Sequence, residues 1–427
     1  MPTQKLTDRT LATGVTFDDL IHIVITGDTT DDPAGSSYKA TIGQVMDTIS
    51  ASTIMILGNG IGSTERCSNS NSAYDDYSTV SGGRCNTSFN LYGTVGGGRC
   101  NTSIGGCSTV SGGYLNITTG DTSYIGGGRG NTTNGSCSTI GGGSFNTTFC
   151  KNSTISGGLA NTVSNCYSTI SGGYSNVEES VYSTISGGRQ NTSLGPCSVI
   201  SGGFCNTLLG ISSVISGGFC NTNSGYYPST IGGGGFNTID TSFGYNTISG
   251  GYHNTISGIN TSLTSIFGGS CNFIYNDSPG SSILGGTQNI INSGSTSVIN
   301  GGGSNIIENT STSSIGGGNQ NTIISADHSP IGGGRFNTII GTIYSTISGG
   351  YCNTLDNTSH SGVLGGSGNS VSNQCSFVIG NGISTDRDNT TFVNCLSIMN
   401  LQDGLSGLPS GSVYYCSADS NRLYYVP

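Results

Sequence analysis

The chain has 427 residues, of which 74 are Gly and only 8% are charged, and its formal net charge is −10. That acidic balance argues against a nucleic-acid partner, and no run of about 18 apolar residues exists to cross a membrane as a helix. So much Gly with so little charge would suggest disorder, but a strict internal repeat argues for an ordered fold instead.

Residues 1–50 lie outside the repeat. Met1–Arg9 has no apolar stretch of the kind a signal peptide needs. Asp19–Ile25 reads as a strand, 27–35 as a loop and Ser37–Thr41 as a second strand. Ile42, Val45, Met46 and Ile49 then recur at helical spacing. Residues 51–79 lead into the repeat. Their phrase Ile56-Leu57-Gly58-Asn59-Gly60-Ile61 returns almost unchanged at Val378-Ile379-Gly380-Asn381-Gly382-Ile383. The two copies bracket the array and are expected to be variant coils that cap it, because terminal repeats and sheet edges need covering.

Residues 80–385 form the array. A branched apolar residue recurs 15 apart at Val80, Val95, Val110, Ile125, Ile140, Ile155, Ile170, Ile185, Ile200 and Ile215. It continues through Ile231, Ile248, Ile266, Ile283, Ile299, Ile315, Ile331, Ile347 and Val363, settling at a spacing of 16. Six residues after each of the nineteen stands an Asn. Such a period marks a solenoid. It is too short for paired helices, and Gly-Gly in almost every copy opposes helix. In Ser153-Thr154-Ile155-Ser156, alternation puts Ser153 and Ile155 on one face, taken as the inside. Gly157-Gly158 then turns the chain. Ile256, Ile274, Ile291, Ile307, Ile323, Ile339 and Leu355 mark a return strand eight residues on. The predicted fold is all-β, a parallel β-solenoid or β-roll of about 19 coils of 15–16 residues, with strands about 4.8 Å apart and a rod about 90 Å long. The Asn column reads as an amide ladder. The alternative is glycosylation at Asn-x-Ser/Thr copies such as Asn86 and Asn131. A roll this thin removes little apolar area from water per residue, so a homotrimer in which each chain completes its neighbours' cores is expected.

Where the spacing loosens, Tyr226-Tyr227-Pro228 and 276–280 are expected to bulge. Residues 386–427 form a β tip: Ser412–Tyr415 and Arg422–Val426 are placed to pair as a hairpin.

The Ser-x-Ile-x-Gly phrase at a spacing of 15 resembles the YadA-like β-roll heads of trimeric autotransporter adhesins, although Gly-Gly-x-x-Asn departs from their Ala-rich form. The Asp19-Leu20-Ile21-x-x-Val24 and Tyr38-Lys39-Ala40-Thr41 segments resemble N-terminal modules of phage tail fibres. Thr390-Thr391-Phe392-Val393-Asn394-x-Leu396 and Gly407-Leu408-Pro409-Ser410-Gly411-x-x-Tyr414 are similar to segments near the ends of phage and giant-virus fibre proteins. The resemblance implies a trimeric fibre on a virion, made in the host cytoplasm, joined to other tail or fibre proteins through residues 1–50 and attaching to a host surface glycan or protein. A membrane-anchoring barrel, which an autotransporter would need, has no room in the last 40 or so residues. A secreted cell-surface adhesin or extracellular filament subunit is the competing expectation.

No chemistry-bearing motif stands out. Acidic residues in the array are Asp121, Glu178, Glu179, Asp240, Asp277, Glu308, Asp327 and Asp356; none pair at equivalent places of adjacent coils, and Glu178 and Glu179 should face opposite ways. No enzyme activity, cofactor or metal is expected: Cys-x-x-Cys is missing and the four His are scattered. The 15 Cys fall largely on the repeat grid, as at Cys85 and Cys100, Cys205 and Cys220, or Cys107, Cys137 and Cys197. They read as buried free thiols, with cross-coil disulfides as the alternative. Candidate ligand-facing residues form a stripe four places after the key apolar: Arg84, Arg99, Tyr114, Arg129, Tyr174, Arg189, Tyr252 and Tyr351. Arg and aromatic rings in one line suit sugars and anionic polymers; packing between subunits is the other reading. Tyr414, Tyr415, Tyr424 and Tyr425 are candidate tip contacts. An outward Thr column (Thr139, Thr154, Thr169, Thr184) is also the kind of flat hydroxyl array that ice-binding solenoids use.

Overall fold

The computed structural model describes residues 20–25, 36–41, 55–66, 70–394, 413–416 and 422–425. Among them there is no helix, and the array is a parallel β-solenoid of about 22 turns. Chain contacts group into two compact units, Met1–Phe236 and Asn237–Pro427.

In the first unit each turn contributes two very short strands. Thr154–Ile155 pairs in parallel with Thr139–Ile140 before it and Thr169–Ile170 after it. Thr162–Val163 does the same with Thr147–Thr148 and Val177–Glu178 on the return side. The expected inside is the inside: Ser153, Ile155, Asn161 and Val163 are fully buried, while Thr154 is half-buried and Ser156 exposed. The corners are held by polar ladders. Asn161 Nδ2 donates to Gly157 O at 3.0 Å and to Gly173 O of the next turn at 3.1 Å, and its Oδ1 accepts the Asn176 N–H at 3.0 Å. A second ladder, of serines, was not foreseen. Ser168 Oγ accepts the Ser183 N–H at 3.2 Å and donates to Ser180 O at 2.6 Å. The ladder asparagines Asn86 and Asn131 are likewise buried, and their amide nitrogens donate to glycine carbonyls. That leaves no room for a glycan on them in the folded chain.

Gly158 has φ +92°, and a Cβ there would run into Gly173 O and Asn161 Nδ2. The sharpest left-handed corner, however, carries no glycine requirement: Ala160 sits there at φ 57°, as do Cys85, Leu115, Phe145 and Gln190 in other turns. Two neighbours hold the corner in place. Leu159 N–H donates to Gly173 O on the following turn and Ala160 N–H to Ser144 O on the preceding one, both at 2.9 Å.

The second unit repeats the plan with longer return strands, such as Ile290–Ser295 and Ile306–Ser311 paired in register. These longer strands each carry an added left-handed residue, Ser293 at φ 49° and Asn309 at φ 50°. Its interior is more apolar than that of the first unit: Ile256, Ile274, Ile291, Ile307, Ile323, Ile339 and Leu355 are fully buried where the first unit buries Ser88, Ser103, Thr118, Thr133, Thr148 and Ser193.

Three expectations need correction. The nineteen phrases undercount the turns, because Thr64–Arg66 stacks beneath Thr79–Val80, and Phe377–Asn381 and Thr391–Val393 stack in parallel after Gly362–Ser367. Thr64–Arg66 has Glu65 in the apolar place, and Ser376-Phe377-Val378-Ile379-Gly380 keeps the phrase but has Ser384 where the Asn would stand; both keep the backbone register. The two look-alike segments are not both coils. Met55–Leu57 folds back antiparallel onto Thr64–Arg66, whereas Phe377–Asn381 runs parallel to Gly362–Ser367. Thr64–Arg66 therefore has an antiparallel partner on the side away from Thr79–Val80, which covers that edge. Glu65, in register with Val80, closes the interior by accepting the Ala73 N–H at 2.8 Å. The grid cysteines are free but not buried: Cys85, Cys100 and Cys220 are half-exposed and Cys107, Cys137, Cys197 and Cys205 exposed, because their columns are the left-handed corners, outside the stacked core. A disulfide joins Cys150 and Cys166.

Leu20–Ile25 and Ser36–Thr41 pair antiparallel, and Val413–Cys416 pairs antiparallel with Arg422–Tyr425. The helix expected over 42–49 lies outside the described residues.

Candidate binding ridge on the solenoid

The stripe read from the sequence is a physical column. In the first unit, successive parallel bridges run Arg84 to Arg99, Tyr114, Arg129, Ser144, Leu159, Tyr174, Arg189, Phe204 and Phe219. Each follows the positive-φ glycine of its turn, so each leaves the corner outward. Arg84, Arg99, Arg129, Tyr174 and Arg189 are exposed and Tyr114 half-buried. Stacking at one strand spacing brings cations and rings together. Arg99 and Arg129 lie 5.6 and 5.8 Å from the Tyr114 ring, and Arg189 lies 5.4 Å from both Tyr174 and Phe204. These contacts bring guanidinium groups and aromatic rings within cation–π reach of one another along one line.

In the second unit, Tyr252 and Tyr351 belong to the corresponding column, which runs Tyr252, Ser270, Thr287, Gly303, Asn319, Arg335, Tyr351. Both tyrosines are exposed, but five turns separate them, carrying Ser270, Thr287, Gly303, Asn319 and Arg335, so they do not form one stack. The Cys352 thiol beside Tyr351 pushes its hydroxyl pKa up. Where Val413–Cys416 pairs with Arg422–Tyr425, Tyr414 is in register with Tyr424, Tyr415 with Leu423, and Tyr425 with Val413.

Further aromatic pairs escaped the sequence reading. Tyr74 stacks on Phe89 at 4.9 Å, Tyr77 on Tyr92 at 5.1 Å and Tyr167 on Tyr182 at 5.0 Å, with Lys151 over Tyr167 at 5.7 Å. The signal was there, since each pair is spaced by one repeat.

Two neighbouring acids behave as alternation demands. Glu179 is exposed and Glu178 is buried inside the turn. Burial raises the Glu178 pKa to about 8, against the opposing pull of the Ser180 N–H, which donates to Oε1 at 3.0 Å. Ser193, in register on the next rung, adds a smaller pull in the same direction as Ser180.

Compared with models of protein families and with curated proteins, the chain matches none.

Proposed function

We propose that this chain is a non-enzymatic structural fibre protein of a virion, a tail fibre or comparable appendage, whose solenoid displays an adhesive ridge to a host surface glycan. The observation that carries this reading is the Arg–aromatic column of the first unit. On a chain of net charge −10, Arg84, Arg99, Arg129 and Arg189 gather on one exposed line with Tyr114 and Tyr174 between them. A rigid backbone with little side-chain freedom in its ladders suits presentation of such a line more than catalysis. The chain assembles as a homotrimer in this reading, residues 1–50 join it to other fibre proteins, and the tip hairpin around Tyr414, Tyr415, Tyr424 and Tyr425 adds contacts. A secreted adhesin or filament subunit would use the same ridge, and the particle that carries the chain distinguishes the two.

The test is binding of the full chain to immobilised sulfated and carboxylated polysaccharides. Arg99→Ala combined with Arg129→Ala is expected to weaken binding about tenfold or more, and added salt to weaken it further. Unchanged binding by the double variant would remove the ridge from the proposal. Sedimentation equilibrium reads the trimer.

A second reading has its own observation. Thr139, Thr154, Thr169 and Thr184 stand in register on consecutive parallel strands, with Tyr124 exposed at one end and Val199 and Val214 at the other. Such a column is a regular hydroxyl and methyl array suited to ordering water, and thermal hysteresis in the purified protein is its readout.

A further inference from the structure

Two pairs of cysteines stand on adjacent turns of the first unit at the same register position, Cys85 with Cys100 and Cys205 with Cys220. All four occupy the left-handed corner, with φ between 51° and 57°. In each pair the later N–H donates across the turn: Cys100 N to Arg84 O at 2.9 Å and Cys220 N to Phe204 O at 2.8 Å. The preceding residues are bridged as parallel neighbours, Arg84 with Arg99 and Phe204 with Phe219. One strand spacing, about 4.8 Å, therefore separates the paired Cα atoms, inside the range a disulfide spans. The same unit already joins Cys150 to Cys166 across a turn at a Cα separation of 4.8 Å. Cys205 is exposed and Cys220 half-exposed, so a small oxidant reaches them. Cys137 supplies a contrast. It is exposed, but the same column carries Thr122 on the turn before and Asn152 on the turn after, with Thr122 Oγ1 at 3.1 Å.

We propose that Cys205 and Cys220 form a redox-active dithiol, with Cys85 and Cys100 a second copy, which a low-molecular-weight disulfide such as oxidised glutathione converts into a cross-turn staple. The Cys205 thiolate attacks one sulfur of the glutathione disulfide, forming a mixed disulfide and releasing one glutathione thiolate. The Cys220 thiolate then attacks Cys205 Sγ, the Cys205–Cys220 bond forms, and the second glutathione thiolate leaves. Two electrons pass from the cysteine pair to glutathione, and the two protons shed by the cysteines are taken up by the departing thiolates. Burial and the adjoining Cys205 thiol push the Cys220 thiol pKa up, so closure runs faster as pH rises.

The experiment incubates the full chain with oxidised glutathione, blocks remaining thiols by alkylation, digests without reduction and reads the peptides by mass spectrometry. The expected result is a linked peptide pair containing Cys205 and Cys220, two hydrogens lighter than its parts and free of glutathione, while Cys137 retains a glutathione adduct. In Cys205→Ser, Cys220 is expected to retain its adduct because nothing resolves it. Glutathione persisting on wild-type Cys205 or Cys220, or linkage of either to a different cysteine, overturns the proposal. The same map reads Cys85 and Cys100, and an adduct retained on either removes the second copy. Circular dichroism checks that Cys205→Ser is folded; if it is not, the wild-type map decides by itself.

Discussion

Asn161 does three jobs with one amide. It satisfies Gly157 O within its own turn and Gly173 O in the next, and it accepts the N–H of Asn176. Asn161→Ala removes all three and leaves buried backbone groups unpaired, so a loss of about 2–4 kcal/mol is expected in urea denaturation. Gly158→Ala is expected to be as damaging, about 3 kcal/mol or more, because both its backbone conformation and the space at its Cβ exclude a side chain. Ala160→Gly should go the other way. Its left-handed corner strains an L residue, and glycine there is expected to raise stability by about 0.5–1 kcal/mol. The same denaturation curves read all three variants. Glu178 gives a pH dependence. Its carboxyl is protonated in the fold up to about pH 8, whereas an exposed carboxyl in the unfolded chain ionises from about pH 4.3. The unfolded state therefore binds fewer protons across that window. Stability is full below the unfolded value and falls as pH rises toward 8. Glu178→Gln is expected to flatten that slope and to raise the melting temperature at pH 8 while changing little at pH 4. A slope that survives the substitution would place its origin elsewhere.

At the scale of elements, strands of two residues have no independent stability and exist only as rungs. The repeat phrase made the ladders legible because alternation and a constant period leave a single register that buries every Ile. The same logic explains why the end elements were misread. Ile56–Ile61 and Val378–Ile383 share a phrase but not a neighbour, and a strand's partner is decided by what lies beside it. Met55–Leu57 turns back on Thr64–Arg66 and covers the edge. A chain lacking residues 1–66 should therefore expose the unpaired edge of Ser72–Ala73 and Thr79–Val80 and aggregate, seen as rising light scattering. A monodisperse truncated protein would show that the hairpin is not the guard of that edge. The candidate ridge was legible for a related reason, since equal spacing guarantees one column. Its cation–ring pairing, by contrast, depended on distances that only stacking supplies.

At the scale of the molecule, the two units share a plan but differ inside. The return-strand interior of the first unit carries Ser88 and Thr148, whose hydroxyls have no hydrogen-bond partner, together with Ser193 and Glu178. The second unit places Ile or Leu at that position from Ile239 to Leu355. Burying a branched aliphatic side chain contributes about 1.5–3 kcal/mol, and an unpaired buried hydroxyl subtracts from stability. Amide hydrogen exchange is expected to be slower around Ile307, Ile323 and Ile339 than around Ser88, Thr148 and Ser193. Equal protection would mean that ladder hydrogen bonds, rather than apolar contacts, set local stability. Because each turn touches only its neighbours, opening is expected to begin at weak rungs rather than everywhere at once.

The amino-acid sequence alone determined the solenoid, its period, its inward Ile column and its Asn ladder, because a constant repeat admits one stacking in which every copy is satisfied alike. Tertiary structure alone decided the serine ladder, the non-glycine left-handed corners, the antiparallel cap and which cysteines meet. Each of these depends on residues that the sequence separates, by 7 to 11 positions at the cap and by 12 to 16 at the ladder and the corners, and that only stacking brings together.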